Sequence, residues 1–581
     1  MDTPISLNWK IAGKAGEGVM TTSDTFAKVC HRHGLFVFNY YEYPSLIKGG
    51  HQTGQVHASS EHASCQKRTL DVLVALNENA FVTHQAEITP ETIIICEPEV
   101  DGYDISKYQH LSQHIYSVNM TKMSREITGH SIATNTAALG ASAYFIGLDP
   151  QLFRDILTEQ FIGKGQEVVD GNIKVFDTAY TAAQQLSQPK FQVGKFPSKG
   201  VLLSGGDAIG MGALAGGLQF YSAYPMSPSS NAFHYIAAQQ DKFPLVVRHV
   251  EDEIAAINLA VGASYAGVRA MTGSAGGGFA LMVETLSLTG VMETPLVILV
   301  AQRPGPATGL PTWTGQGDLQ FVLHAGHGEF QRIVMTPGDT AEHFELTRKG
   351  FELAEKYQIP VLILTDKYLI EAPQTMPAIQ EEYQLERYAM VKTEDLPQDD
   401  SFRRYAIDTQ NGVSPRSIPG QAHGLQITNS YEHDEFGYAT EDADMTIHQV
   451  EKRAKKMDSI VNEVPQPLFI GPEDADITFV CWGTTLSVLR QMLHDTETLR
   501  SQGEQLPTVN IIHFPCIWPF PAEQFTKLAQ KAKRLVMIEG NFTGQCELLI
   551  RQETGIQFAD HIRRYDGRPF YSEDLIEWIK K

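Results

Sequence analysis

Three acidic residues stand together at a point in the sequence where a carboxylate could do acid–base chemistry. Glu251, Asp252 and Glu253 follow the apolar run 245–247 and begin a stretch that is rich in small residues and has a helical pattern. Acids in a first helical turn often do no more than complement the helix dipole. A carboxylate beside the nitrogen of a bound ring could instead take up or release a proton. The three acids taken alone leave both readings open.

Two further loops indicate a binding site for a flat ligand. Gly276, Gly277 and Gly278 follow the next predicted strand and leave its end bare of side chains, so a ring could lie against the backbone. Upstream, residues 224–230 combine two prolines with three serines directly after an apolar strand. Open parallel sheets bind their ligands where the strands end. We therefore expect the three loops at one edge of a parallel sheet, around one ligand.

Taken together, four segments of the chain resemble the α subunit of the pyruvate and 2-oxoglutarate:ferredoxin oxidoreductases, over about residues 196–581. The usual family pattern has Ile and Thr where this chain has Met226 and Ser227, and often Gly at Pro304, but the hydroxyl and guanidinium chemistry is retained. The segments are Tyr-Pro-Met-Ser-Pro-Ser-Ser from Tyr224, Glu-Asp-Glu-Ile-Ala-Ala from Glu251, Thr-Gly-Ser-Ala-Gly-Gly-Gly from Thr272 and Arg-Pro-Gly-Pro-Ala-Thr-Gly-Leu-Pro-Thr from Arg303.

The resemblance implies that Glu253 is catalytic. In that family the equivalent carboxylate hydrogen-bonds the aminopyrimidine ring of thiamine diphosphate and favours the imino tautomer, which removes the proton from the thiazolium carbon. The reaction decarboxylates a 2-oxoacid, passes electrons singly to iron–sulfur clusters and transfers the acyl group to coenzyme A. Further cofactor-binding residues implied by the matching segments are Tyr224, Pro225, Thr272 and Ser274.

Arg303 is the candidate for binding the substrate carboxylate. A guanidinium group offers two parallel donors that match the two oxygens of a carboxylate. The alternative for Arg303 is a surface ion pair without function. The same part of the chain offers three hydroxyl groups as additional donors, on Ser227, Thr308 and Thr312.

The N-terminal block carries a glycine loop that could bind phosphate. The segment Gly-Lys-Ala-Gly-Glu-Gly from Gly13 follows the apolar run 7–12, which alone is a weak phosphate signal. This loop and the segment 43–52, where Lys48 replaces the usual Arg, resemble the family's γ domain. That domain closes over coenzyme A, so the resemblance implies contacts from Gly13, Gly16, Gly18 and Lys48. The alternative is that the glycines only permit a tight turn.

The sequence predicts no metal site on this chain. Its six cysteines are scattered singly without Cys-x-x-Cys spacing, so we expect any iron–sulfur cluster on a partner. Gly206 and Asp207, with Asn231 downstream, imitate the Gly-Asp-Gly…Asn signature for magnesium and diphosphate, but the third glycine is missing. We therefore expect Mg²⁺, the diphosphate site and a [4Fe–4S] cluster on a β subunit. The acids beside His433 are consecutive and seldom converge on one ion, so a structural or partner-contact role is expected there.

Alternating apolar runs and helical patterns predict an α/β protein of several domains. By the resemblance these are a γ domain, a domain that binds the pyrimidine ring of thiamine diphosphate, a linker, and a domain like the C-terminal one of transketolase. A Pro-, Lys- and Gly-containing stretch near 187–199 separates the first two. The boundaries are 1–186, 196–378, 379–468 and 469–581.

Composition excludes some classes of function. With 581 residues, 42% of them hydrophobic, the chain can build several cores, and its net charge of −22 is spread along its length, which argues against nucleic-acid binding. No apolar run reaches the length of a membrane span and the N-terminus has no signal-peptide pattern, so a cytoplasmic protein is expected.

These observations predict one subunit of a thiamine-diphosphate-dependent 2-oxoacid:ferredoxin oxidoreductase, active with its β subunit as a dimer of αβ pairs. The fused γ domain and the His-Asp-Glu-Phe-Gly segment from His433 favour 2-oxoglutarate and succinyl-CoA over pyruvate, with the direction of the reaction left open. Other 2-oxoacids, a ferredoxin-independent thiamine enzyme and a regulatory subunit without catalysis are the alternatives.

Overall fold

A computed structural model describes residues 4–45, 49–379, 383–399 and 401–581 of the chain. Within these ranges the strands form sheets of eight, seven and five strands. Helices cover the sheets, and the irregular residues 383–399 and 401–442 precede one long helix. In the described part of the chain, none of the helices has the length and apolar character that crossing a bilayer requires.

The eight-stranded sheet is built mainly from the N-terminal block. Parallel pairing joins β6, β5, β4 and β1, and antiparallel pairing continues the sheet through β3 and β2. The elements of this block are β1 (Ser6–Lys14), α1 (Val19–Arg32), β2 (Phe36–Glu42), β3 (His51–Ser59), β4 (Val72–Ala75), α2 (Glu78–His84), β5 (Ile93–Cys96), α3 (Pro98–Asp101), β6 (His114–Ser117), α4 (Met120–Thr128), α5 (Thr134–Ile146), α6 (Pro150–Phe161) and α7 (Gln166–Gln184).

The second block contains six strands of the seven-stranded sheet, while its first and last strands join the eight-stranded sheet. β11 and β13 are buried at every position because helices cover both faces of this parallel sheet. The elements are β7 (Val201–Leu203), α8 (Gly205–Ala215), β8 (Phe220–Ala223), α9 (Ser230–Ala237), β9 (Val246–His249), α10 (Glu253–Tyr265), β10 (Ala270–Ser274), α11 (Gly276–Phe279), α12 (Val283–Val291), β11 (Leu296–Gln302), α13 (Leu319–His324), β12 (Ile333–Met335), α14 (Thr340–Tyr357), β13 (Pro360–Asp366), α15 (Lys367–Glu371) and β14 (Gln374–Met376).

The five-stranded sheet lies at the C-terminus. Its strands β15 to β17 and β19 to β20 pair in the order β15-β17-β16-β19-β20. After α16 (Ala443–Glu463) the elements are β15 (Leu468–Ile470), β16 (Ile477–Trp482), α17 (Thr485–Ser501), β17 (Val509–Phe514), β18 (Cys516–Trp518), α18 (Ala522–Ala529), β19 (Leu535–Glu539), α19 (Gln545–Thr554), β20 (Asp560–Arg563) and α20 (Ser572–Ile579).

Three strands cross between the blocks. β7 and β14, which flank the second block in sequence, pair antiparallel with each other, and β14 also pairs with β2 of the first block. β18 pairs antiparallel with β12 of the seven-stranded sheet. Aromatic packing reinforces the first junction, since Phe38 and Tyr40 lie 5.1 and 5.4 Å from the ring of Tyr368 on α15. The blocks therefore share hydrogen-bonded sheets.

A buried ion cluster fixes the irregular segment and α16 to the second block. The carboxylate of Glu293, which follows α12, contacts the ammonium groups of Lys452 and Lys456 on α16, each at 2.6 Å. Burial alone would raise the pKa of Glu293, but these two ammonium groups hold it far below its ordinary value. Arg404 of the irregular segment donates to the carbonyl of Glu293 (2.8 Å). The segment is thus ordered by polar contacts rather than by its own secondary structure.

Candidate functional site

The carboxyl ends of the parallel strands bring the chemically interesting loops together. β8, β10, β11 and β13 run parallel, so the loops that follow them emerge at one edge of the sheet. From β8 the chain leads outward through α9 to β9, whereas from β10 it leads through α11 and α12 to β11 on the opposite side. Diverging connections of this kind leave a crevice in which open sheets bind ligands.

Glu253 is the buried member of the three adjacent acids. It is the first residue of α10 and only 4% exposed, whereas Glu251 is exposed. Asp252 is the N-cap of the helix, since its side chain accepts a hydrogen bond from the N–H of Ala255 (2.7 Å). The capping role and the buried position therefore fall to different residues.

Ser274 and the glycine run surround the carboxylate of Glu253. Ser274 Oγ lies 3.5 Å from Glu253 Oε1 and 3.7 Å from Met226 Sδ, so all three loops meet at this hydroxyl. A methyl group on Gly278 would come within 2.5 Å of Glu253 Oε1 and 2.0 Å of Ser274 Oγ. Gly277 has far more room, because a methyl group there meets nothing closer than 3.9 Å. Gly278 is therefore the glycine that the carboxylate requires.

The loop after β8 forms one wall of the crevice. Tyr224 is exposed at 39% and Pro225 is half-buried, while Ser229 closes the loop by donating to the carbonyl of Met226 (2.7 Å). Thr272 lies within the sheet, where it is fully buried and its hydroxyl donates to the carbonyl of Ser222 (2.8 Å). Tyr224 and Pro225 are thus accessible to a ligand, whereas the hydroxyl of Thr272 joins two strands.

Arg303 connects the loop after β11 with the loop after β8. Its Nη1 donates to the carbonyl of Ser227 (2.8 Å), and burial lowers the pKa of the guanidinium group. Ser227 itself is exposed. The structure therefore brings two of the four predicted substrate residues into direct contact.

The other two predicted substrate residues lie further along the loop that begins at Arg303. The N–H of Leu310 donates to the carbonyl of Pro304 (2.9 Å), which folds the loop back on itself. Thr308 is exposed at its tip and Thr312 is 6% exposed at its base. Among the described residues, neither of these two threonines forms a hydrogen bond with the Arg303 side chain.

Asp318 belongs to this edge and was missed by sequence reasoning. A methyl group on Gly276 would come within 2.3 Å of Asp318 Oδ2, so the carboxyl group rests against the glycine run. Burial raises the pKa of Asp318 to about 6, although the Arg303 guanidinium opposes the shift. The residue lies outside the four segments that carry the resemblance, and only the neighbouring Gly315 and Gly317 hint at a special backbone.

The Gly206-Asp207 pair has a structural role in the fold. Ser204 and Asp207 form a capping box at the start of α8, in which each side chain accepts from the backbone N–H of the other residue (3.1 Å). Gly206 is in close contact with Asn231, since a methyl group on it would come within 2.8 Å of Asn231 Cβ. In this fold the pair therefore begins a tightly packed helix.

The predicted coenzyme A residues surround the loop between β1 and α1. Gly16 and Gly18 have φ values of 96° and 77°, which favour glycine, and Gly18 is the N-cap of α1. The loop separates two clefts, one of about 590 Å³ lined partly by Gly13, and one of about 420 Å³ lined partly by Gly16 and Gly18. Lys48 lies outside the described residues.

The segment that precedes Lys48 is attached to the second block near the crevice. Tyr43 OH donates to Glu371 Oε1 (2.7 Å), and Lys367 Nζ donates to the carbonyl of Tyr41 (2.5 Å). Lys367 directly follows β13, the neighbour of β11, at the strand end. The N-terminal block therefore contacts the same sheet edge on which Arg303 lies.

Family comparisons match both large blocks of the chain. The family described as pyruvate flavodoxin/ferredoxin oxidoreductase, thiamine diphosphate-binding, matches residues 211–452. The family described as pyruvate ferredoxin/flavodoxin oxidoreductase matches residues 8–182. The chain is 30% identical to the 2-oxoacid:ferredoxin oxidoreductase subunit alpha of Saccharolobus solfataricus, over 99% of this chain and 97% of the relative. It is 31% identical to the 2-oxoglutarate synthase subunit KorA of Methanocaldococcus jannaschii, over 58% of this chain and 88% of the relative.

A solved structure matches the whole chain. The 2-oxoglutarate:ferredoxin oxidoreductase of Magnetococcus marinus, with 2-oxoglutarate, coenzyme A and succinyl-CoA bound, is 31% identical and superposes with a TM-score of 0.90 over 99% of both chains. The resemblance seen in the sequence motifs and the expected multidomain α/β fold are both confirmed. The chain belongs to the 2-oxoacid:ferredoxin oxidoreductase family, as a thiamine-diphosphate-binding α subunit.

Proposed function

We propose that this subunit works on 2-oxoglutarate, as part of a complex that forms succinyl-CoA and CO₂ and reduces ferredoxin. The full-length likeness to the Magnetococcus marinus protein carries the choice of substrate, because that structure contains 2-oxoglutarate, coenzyme A and succinyl-CoA. The reaction can run in either direction in principle, and CO₂ fixation would be the reverse.

The crevice fits the pyrimidine ring of thiamine diphosphate. Glu253 presents a buried carboxylate, and the missing side chain at Gly278 lets this carboxylate and the Ser274 hydroxyl lie directly against the glycine run. A flat ring with a protonatable nitrogen is the kind of group that such a cradle accommodates. When bound, thiamine diphosphate supplies the carbon nucleophile and the electron sink that decarboxylation of a 2-oxoacid requires.

Glu253 is proposed as the catalytic residue of this chain. Its carboxylate would hold or release the proton shared with a ring nitrogen, and burial excludes water that would compete for that hydrogen bond. Ser274, 3.5 Å away, would keep the carboxylate in place. Tyr224, Pro225 and Thr272 are proposed to shape the wall on which the ring rests.

Arg303 is proposed to orient the substrate through its carboxylate. The guanidinium group has five N–H donors, of which the Ser227 carbonyl takes one, and a paired contact to a carboxylate needs two. Thr308 and Thr312 lie on the same loop and are proposed to add hydroxyl donors. 2-Oxoglutarate has two carboxylates and pyruvate has one. 2-Oxoglutarate would therefore offer a second carboxylate to the donors in this part of the site.

Other tasks are proposed for partners. A β subunit would supply the Mg²⁺ and diphosphate contacts and the [4Fe–4S] cluster, and the working unit would be a dimer of αβ pairs. Coenzyme A would bind at the N-terminal block through the loop that contains Gly13, Gly16 and Gly18, with Lys48 as a further contact. Ferredoxin, an acidic protein, would dock on a local basic patch or on the β subunit, because this chain carries a net charge of −22.

An assay of the purified complex tests this function. Reduction of a viologen dye is measured with coenzyme A and each of 2-oxoglutarate, pyruvate, indolepyruvate and a branched-chain 2-oxoacid. We expect kcat/KM to be highest for 2-oxoglutarate and turnover to require coenzyme A. A preference for another 2-oxoacid would contradict the proposal that 2-oxoglutarate is the substrate. A colourless complex that turns over 2-oxoacids without reducing the dye would instead indicate a ferredoxin-independent thiamine enzyme.

A further inference from the structure

The C-terminal block, residues 468–581, contains none of the residues proposed for the thiamine ring or the 2-oxoacid, which all lie within residues 224–312. Its sheet nevertheless has the topology that creates a ligand crevice. From β16 the chain leads to β17 on one side, whereas β19 lies on the other side of β16 and leads on to β20. Parallel strands bind ligands at their carboxyl ends, where the connections diverge in this way. In this sheet that crevice lies between the ends of β16 and β19.

Gln316 of the second block occupies the crevice between β16 and β19, where it is only 1% exposed. Its Nε2 donates to the carbonyl of Trp482, the last residue of β16 (2.8 Å). Its Oε1 accepts from the N–H of Gly540, which follows β19 (2.7 Å). Its backbone N–H donates to the carbonyl of Gly540 (2.8 Å), and its carbonyl accepts from Asn541 Nδ2 (3.1 Å). Each polar group of Gln316 is therefore bonded to the C-terminal block.

Gln316 belongs to the loop of residues 303–318 between β11 and α13, called the substrate loop because it begins at Arg303 and carries both substrate threonines. The two ends of the substrate loop meet, since the N–H of Asp318 donates to Oε1 of Gln302 (2.9 Å). Residues 303–318 contain no helix or strand. A loop of this kind depends for its position on the contacts that its side chains make.

The C-terminal block supports the second half of the substrate loop at further points. The N–H of Thr314 donates to the carbonyl of Gly567 (3.2 Å). The guanidinium group of Arg568 lies over the ring of Trp313, 3.2 Å from its centroid. Gly567 also lets the loop approach closely, because a methyl group there would come within 2.9 Å of Leu310 Cδ1. The substrate loop thus lies against the C-terminal block on the side that follows Leu310.

We infer that Gln316 is a positioning residue, through which the C-terminal block holds the substrate loop so that Arg303 meets the carboxylate of the 2-oxoacid. The crevice in which such sheets bind a ligand is occupied here by a side chain of the same polypeptide. The block then acts on the substrate through the loop. Glu253 lies on α10 and not on this loop, so binding of thiamine diphosphate should be spared when the contact is lost. The inference rests on the proposed role of Arg303 in binding the substrate.

Kinetics of the purified complex test the inference with Gln316→Met. Methionine keeps an unbranched side chain of similar size and removes both side-chain hydrogen bonds. A displaced Arg303 weakens binding of the ground state and of the transition state alike, which raises KM and leaves kcat unchanged. Because a shift of about 1 Å in an active site can cost about 10²-fold, we expect KM for 2-oxoglutarate to rise about tenfold or more. The kcat and the Kd of thiamine diphosphate should stay within about twofold of wild type.

A second variant and a control accompany Gln316→Met. Arg568→Ala removes the contact with Trp313, and because Arg568 is exposed its loss leaves the core intact. It should raise KM by a smaller factor. Ser487→Ala is the control, since the buried Ser487 of α17 donates to the carbonyl of Gly338 (2.8 Å) and so joins the same two blocks without touching the substrate loop. Its KM should equal that of wild type.

Hydrogen exchange of the complex without substrate separates positioning from direct binding. Gln316→Met and Arg568→Ala should exchange faster within residues 303–318, and Ser487→Ala should not. Where Gln316→Met does not assemble with the β subunit, the result for Arg568→Ala decides.

Wild-type KM in both loop variants, or an equal rise of KM in Ser487→Ala, would overturn the inference. It is also overturned if kcat and thiamine diphosphate affinity fall as much as KM rises, because Gln316 would then stabilise the fold as a whole. If the wild-type complex prefers another 2-oxoacid, the proposed substrate is refuted, and the KM of that acid measures the position of the loop instead.

Discussion

Glu251, Asp252 and Glu253 are neighbours in sequence, yet the fold gives them three different environments. Glu251 is exposed, Asp252 caps α10 and Glu253 is buried beside Ser274. Composition could not distinguish the three, because their roles depend on where the first turn of α10 begins and which way it faces. The family motif, rather than the charges themselves, identified Glu253 in the sequence.

Replacing Glu253 by glutamine tests the catalytic assignment. Glutamine keeps the size of the side chain and can still hydrogen-bond a ring nitrogen, but it cannot exchange a proton. Contributions of this kind are worth about 10²–10⁴ in rate, so we expect kcat to fall by that factor with the Tm unchanged. Glu251→Gln is the matched control because Glu251 is an exposed glutamate only two residues before Glu253. An equal fall in kcat in both variants, or wild-type kcat in Glu253→Gln, would contradict a catalytic role for Glu253.

Gly278 provides a second test at the same carboxylate. In Gly278→Ala the new methyl group would clash with Ser274 Oγ and Glu253 Oε1, so one of these groups must move. A misplacement of about 1 Å in an active site can cost about 10²-fold, and we expect kcat to fall by about that factor. Gly277 lies on the same short helix, and a methyl group there would meet its nearest neighbour, the carbonyl oxygen of Ala307, only at 3.9 Å. Gly277→Ala should therefore keep wild-type turnover. Steady-state kinetics measure kcat for both variants. An equal fall in kcat for Gly277→Ala and Gly278→Ala would contradict this arrangement of the carboxylate and the glycine run.

Two residues of interest had no recognisable signature in the sequence. Asp318 rests against Gly276 although more than 40 residues separate them, which only the path of the chain after β11 brings about. Asn77 has an ordinary N-cap residue type at an ordinary N-cap position, and it differs only in that its side chain has no hydrogen-bond partner among the described residues. Proximity and hydrogen-bond satisfaction are properties of the folded chain, so no reading of the sequence supplies them.

At the scale of elements, buried strands were the features best predicted from sequence. The apolar runs 7–12, 477–482 and 535–539 lie in the mainly buried strands β1, β16 and β19. β3 was not predicted, because its sequence His-Gln-Thr-Gly-Gln-Val-His-Ala-Ser lacks an apolar run although it lies between two other strands of the sheet. A polar strand of this kind is stabilised by pairing with its neighbouring strands. This pairing leaves no apolar pattern in the sequence of the strand itself.

The ion cluster around Glu293 predicts how α16 and the irregular segment are held. Glu293→Gln leaves Lys452 and Lys456 buried without their countercharge, which typically costs about 3–5 kcal/mol. We expect that loss in chemical denaturation of the purified chain, together with faster proteolysis within residues 401–442. The control is Glu463→Gln, also on α16, which breaks the half-exposed pair with Lys356 of α14 and should cost about 1 kcal/mol or less. Comparable losses of unfolding free energy in both variants would show that the buried ion cluster stabilises the fold no more than a half-exposed ion pair does.

At the scale of the whole molecule, the division of the cofactor between subunits is the main expectation. We expect the isolated chain to be colourless and to bind thiamine diphosphate more weakly than the complex by about tenfold or more, because the diphosphate and Mg²⁺ contacts are proposed on the β subunit. Absorption spectra and calorimetric titration with thiamine diphosphate and Mg²⁺ measure both properties. Adding the β subunit should restore affinity. Equally tight binding by the isolated chain would contradict the division.

The sharing of strands between blocks also constrains the order of events during synthesis. Val37 of β2 donates its N–H to the hydroxyl of Thr375 (3.0 Å), and 338 residues separate the two. When the ribosome has produced the N-terminal block, the open edge of β2 has no partner, and unpaired strand edges promote association between nascent chains. The first sheet to begin forming is thus completed only after all strands of the second except β18 have been made. That edge of β2 stays without its β14 partner for the time needed to translate the residues between them.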